Sequence, residues 1–158
     1  MNKIRIEIKW AIIFAIVGLL WMVMEKALGW HDEHIAKHAT YTMFFILPAI
    51  ILVVLALREK REVDYGGKMT YMQGFKAGFI MTIIIVLLSP LTQWITSMYI
   101  TPDYFNNVIE YSVESGKLSM EEAQEYFNFK SYMIQSAIGG LIMGTLTSAI
   151  VAIFMKKK

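Results

Sequence analysis

The sequence predicts an all-α integral membrane protein: a four-helix transmembrane bundle with a short amphipathic helical hairpin between its third and fourth helices. Three observations predict it. Four apolar stretches, each long enough to cross a bilayer, take up about half of the 158 residues. Basic residues are confined to alternate connections between those stretches. The chain is 56% apolar and 18% charged, with mean hydropathy +0.49, more hydrocarbon than a soluble globule of this size hides. The same composition excludes disorder. Zero cysteines exclude disulfides, thiolate metal sites and cysteine nucleophiles. A net charge of +2 does not advertise nucleic-acid binding. Residues 1–158 are read as one transmembrane domain whose first partner is the lipid bilayer.

A helix rises about 1.5 Å per residue, so roughly 20 apolar residues cross a hydrocarbon core. The first crossing is expected at about 10–28, the second at 41–57, the third at 77–100 and the fourth at 132–154. Pro48 does not spoil the second, because a bundle re-satisfies a carbonyl that proline frees. An alternative for the first is a cleaved signal peptide, since Lys3, Arg5 and Lys9 precede it and Ala27 and Gly29 resemble a cleavage site. Its loss would leave three crossings and put one basic segment on the wrong side.

Eleven of the fifteen basic residues and four acids fall in the N-terminal segment, the second connection and the tail, net +7. The opposite side carries four bases and nine acids, net −5. The positive-inside rule then places both termini in the cytoplasm of a cell whose inner membrane holds the chain. Trp10 fits the inner boundary, and Trp30, Tyr41, Trp94, Tyr99 and Tyr132 the outer one. Trp21 is read as packing.

The second connection has a Gly66-Gly67 turn, and Thr70 with Gln73 makes a capping box that starts the third helix. It is no phosphate loop, because Met69 follows Lys68 where a hydroxyl would ligate magnesium. In the third connection, Thr101-Pro102 is expected to open one helix, with Tyr104, Phe105, Val108 and Tyr111 at helical spacing. Ser115-Gly116 closes it. Ser119 and Glu122 then form a second capping box. The hairpin over about 102–130 is read as an amphipathic connector, or as a lid or partner-docking surface, on the outer bilayer face.

Polar groups near the membrane supply the candidate sites. Ser136, Gly140, Gly144 and Ser148 recur every four residues on the fourth helix, a stripe that lets backbones approach closely. It serves contact within the monomer, or a homo-oligomer or membrane-protein seam. Gln93 and Gln135 lie about 24 and 28 Å from the inner ends of their helices, so they share a depth. Each is expected to hydrogen-bond the other, water or a nearby hydroxyl. Glu25 lies seventeen residues from Ile8, about 25 Å, and reads as a group that snorkels to the headgroups with Lys26. Alternatively it joins the glutamines as an intramembrane polar layer for a proton or cation.

His31, His34 and His38 offer the pattern nearest to metal chemistry. On a helix they share one face, and three imidazoles bind zinc, copper or nickel. A pH-responsive cluster and an ordinary wet loop are the competing readings. No cofactor motif and no nucleophile–base pair is found, so an enzyme is not expected.

The order His31-Asp-Glu-His34, Leu57-Arg-Glu-Lys-Arg61, Tyr65-Gly-Gly-Lys-Met-Thr70, Gln73-Gly-Phe75, Thr101-Pro-Asp-Tyr-Phe105 and Tyr126-Phe-Asn-Phe-Lys-Ser-Tyr132 resembles a bacterial membrane family, domain of unknown function 4199. The likeness spans nearly the whole chain. It implies a four-helix inner-membrane protein and carries no activity, substrate or site residues. The reading for function is an accessory, interaction or structural membrane protein. Its alternatives are a small transporter using Glu25, Gln93 and Gln135, or a metal or pH sensor at the histidine loop.

Overall fold

The computed structural model describes residues 4–157, and four long helical rods dominate it. Lys3 and Lys158, counted above among the basic ends, lie outside the described residues. Helix α1 is Arg5–Ala27. The second rod is α2, Ile35–Tyr41, a 3-10 turn over Thr42–Phe45, and α3, Ile46–Asp64. Next, α4, Tyr71–Ile95, ends in a π turn over Thr96–Ile100. Helices α5, Tyr104–Glu114, and α6, Met120–Tyr126, form the hairpin, and α7, Phe129–Met155, is the last rod. Among the described residues there is no strand, only an isolated bridge between Met69 and Lys157. All four rods are long and apolar enough to cross a membrane.

The rods outrun the apolar stretches because a helix does not stop where hydropathy does. The second continues to Asp64, where Lys60 pairs with Asp64 one turn on and with Glu7 of α1. The first connection shrinks accordingly, since residues 35–41 are already helical. Thr70 accepts from the Gln73 amide and Gln73 returns to the Thr70 amide, the capping box expected at the start of α4. Ser119 and Glu122 do the same for α6. Bonds from the Ser119 amide and hydroxyl hold the Glu122 carboxyl below its usual range. One expectation shifts: α5 starts at Tyr104, two residues after Pro102, because Thr101, at φ −141° and ψ 68°, is not in N-cap geometry and its hydroxyl caps nothing.

The prolines explain the irregular turns. Pro90 has no N–H for the Val86 carbonyl, and the Ser89 hydroxyl takes it at 2.8 Å. Pro48 likewise leaves Phe44 without its donor, and Phe44 lies in the 3-10 turn that precedes α3.

The rods pack tightly at one end only. Ala11, Ala56, Leu57, Met69, Ala77, Val151 and Ala152 form the core there. The Met155 carbonyl accepts from Arg61, and Lys9 and Trp10 both reach Glu59, so the N-terminal segment, second connection and tail share this end. The small-residue stripe completes the packing. A Cβ on Gly78 would lie 2.6 Å from Ser148 Oγ, and one on Gly144 would lie 2.5 Å from Thr82 Cγ2. Gly144 and Ser148 therefore seat α7 on α4 within one chain. Ile138, Ile142, Leu146 and Ile150, on the opposite face of α7, stay exposed.

Candidate functional site

Toward the hairpin the rods separate, and two cavities lie one above the other. The deeper, about 660 Å³, has Val53 and Met81 at its floor and is walled by all four rods, with Phe14, Phe45 and Met143 among its apolar side chains. The shallower, about 670 Å³, is roofed by Tyr104, Val108 and Tyr111 of α5 and by Tyr126 and Phe127. Met22, Thr42, Gln93, Thr96 and Ser136 line both. The hairpin thus covers the cavity.

The stripe on α7 divides between the two halves. Ser148 is a contact residue alone, Gly144 both meets Thr82 and borders the deeper cavity, Ser136 borders both cavities, and Gly140, with 3.6 Å from a built Cβ to Val86, borders the deeper one. Gln93 and Gln135 do share the shallow cavity, but they do not bond each other. Gln93 donates to Ser97 at 3.1 Å and Gln135 to Ser131 at 2.8 Å, each one turn along its own helix. The nearby-hydroxyl alternative is the one realised.

Glu25 does not snorkel. It is 0% exposed, and its Oε1 accepts from Trp21 Nε1 at 2.6 Å, so Trp21 is an orienting donor as well as packing. His31 Nε2 lies 2.9 Å from Oε2 and His38 Nδ1 3.6 Å from the same oxygen. The reason is the end of α1. Gly29, at φ +72°, lets its own amide bond Lys26 and the Trp30 amide bond the Glu25 carbonyl, a Schellman turn that folds the chain back. That reversal lays His31, six residues on, over Glu25.

The three histidines do not share a helical face, because His31 lies in the turn, His34 only caps α2, and His38 alone lies within it. His34 is exposed. Glu25 takes its place in the cluster, and the ligand atoms of Glu25, His31 and His38 all lie within 4.8 Å of one another. All three residues stand out in the sequence, but as members of two separate sites. The signal that joins them is the glycine between Glu25 and His31.

The hairpin encloses the cluster. The Tyr104 ring stands 5.3 Å from His31 and 5.1 Å from His38, and its hydroxyl meets that of Tyr132 at 3.0 Å. Burial pushes the Tyr104 hydroxyl far above its ordinary range, so it stays protonated. Asn107 donates to the His31 carbonyl at 2.9 Å, which ties the turn to α5. At the rim Lys26 pairs with Asp32 at 2.7 Å, and that bond holds the Asp32 carboxyl below its usual range.

Four apolar rods packed at one end and hollow at the other define a multi-helix membrane protein with a capped internal cavity. The chain belongs to the family described as "Protein of unknown function (DUF4199)", whose model matches residues 9–157. No curated protein and no solved structure matches it.

Proposed function

We propose that this chain is a binding protein of the bacterial inner membrane, not an enzyme, with both termini cytoplasmic and the hairpin outside. It holds one single-chain amphiphile under the hairpin, the head among Gln93, Gln135 and Tyr132 and the tail against Met81 and Met143. One observation carries the reading: a cavity whose wall includes Gln93, Gln135, Ser97 and Tyr132 and a more apolar cavity share a lining belt along the bundle axis. Pockets of about 300–1,000 Å³ are the usual size for small ligands. The apolar cleft, about 660 Å³, has room for roughly 20 groups of water or methylene size at ~30 Å³ each, enough for one alkyl chain. The packed core at the far end favours capture over passage. Basic residues gathered at the terminal end support the cytoplasmic side, and the accessory role is retained as capture on behalf of another membrane component.

Photocrosslinking tests the proposal. Purified protein is irradiated with a palmitate analogue carrying a diazirine at its chain end, with and without excess palmitate. Expected labels fall on Phe45 or Met81, disappear under competition and drop at least fivefold in Gly140→Leu, whose side chain enters the deeper cleft. Labels confined to Ile138, Leu146 and similar exposed positions, and indifferent to palmitate, would overturn it.

A further inference from the structure

We propose that Glu25, His31 and His38 bind a late first-row divalent metal ion, zinc being the type case. This inference is independent of the amphiphile. Zinc takes nitrogen and oxygen donors at about 2.0–2.1 Å in a tetrahedron, so its donors lie about 3.3 Å apart. The distances from Glu25 Oε2 to the two imidazole nitrogens, 2.9 and 3.6 Å, straddle that value. One carboxylate and two imidazoles form a harder set than thiolates, suited to zinc, nickel or copper(II) and poor for copper(I).

The surroundings are those of a built site. Trp21 occupies Oε1 of Glu25, which leaves Oε2 as the single oxygen offered. Outer-shell donors of this kind fix the orientation of a ligand. Asn107 anchors the backbone of His31, and Tyr104 packs on both rings. The glutamate is 0% and the His31 side chain 2% exposed. Nδ1 of His38, the atom aimed at Glu25, is buried without a hydrogen-bond partner, as is Nδ1 of His31. A buried polar nitrogen left unpaired is costly, and a cation at the centre of the cluster would satisfy the one on His38. His31 and His38 also line the shallow cavity, so a fourth position is reachable by water or a ligand.

Titration calorimetry and elemental analysis of tag-free protein, with zinc alone as the probe, decide the matter. One zinc per chain is expected. Glu25→Gln and His38→Ala should each weaken binding by more than about a hundredfold, beyond the 10- to 100-fold loss typical of outer-shell changes. His34→Ala, at an exposed position, should leave affinity within twofold. If Glu25→Gln does not fold, His38→Ala alone carries the comparison. Stoichiometry well below one, or equal losses in His34→Ala and His38→Ala, would overturn the site.

Discussion

Gly29 shows how one residue's freedom decides what its neighbours can do. An L-residue at its φ of +72° costs roughly 1–2 kcal/mol, and Gly29→Ala should lower the detergent melting temperature accordingly. Gly116, at φ +67°, closes an equivalent Schellman turn after α5, far along the chain from the histidines. Gly116→Ala should therefore destabilise by a similar amount yet leave zinc affinity unchanged, while Gly29→Ala weakens zinc at least tenfold by moving His31 off Glu25. Equal effects of the two on zinc would show that the turn does not position the histidine. Glu25, His31 and His38 were each legible as chemically unusual residues for their location. Their meeting was not, because helical periodicity was applied across a turn, where three-and-four spacing has no meaning.

At the scale of the element, capping boxes were the most legible features, because Thr70 with Gln73 and Ser119 with Glu122 are local in sequence and in space. Proline repair was less so, since which hydroxyl takes the freed carbonyl depends on rotamers. Ser89→Ala should cost about 1–3 kcal/mol by leaving the Val86 carbonyl unpaired. In a Pro90→Ala background the restored amide takes that carbonyl, and the same change should cost under about 0.5 kcal/mol, as for an ordinary surface site. Thermal melts of the four proteins give the coupling directly, and additive costs would refute the repair. The α4–α7 seam makes a stronger demand. A methyl at Gly144 meets Thr82 Cγ2 at 2.5 Å, so Gly144→Ala should destabilise by about 1–3 kcal/mol through overpacking. An unchanged melting temperature would mean the helices part there at no cost. The stripe itself was readable from spacing. Which neighbour it served, and that Ser136, Gly140 and Gly144 border a cavity, depended on how far the rods diverge, a property of four helices together.

For the whole molecule, charge sorting and the packed terminal end lead to one expectation about sidedness. Arg61 reaches Met155 and Met69 bridges Lys157, so the second connection and the tail face the same compartment whatever that compartment is. Among the described residues, nine basic ones on that side against four on the other make the cytoplasm the expected compartment. The absence of native cysteine allows a direct measurement. A cysteine replacing Gly67 would be strained at φ +87°, so its neighbour is the better reporter: Lys68→Cys for the second connection and Ser115→Cys for the hairpin. An impermeant thiol reagent applied to intact cells should label Ser115→Cys and spare Lys68→Cys. Breaking the membrane first should expose both. The reverse pattern would invert the bundle and direct the capped cavity toward the cytoplasm. Labelling of both in intact cells would mean that the basic end is not shielded by the membrane. Either result would remove the basis for capture from the outer side. The metal cluster would keep its geometry and would meet a different pool of ions.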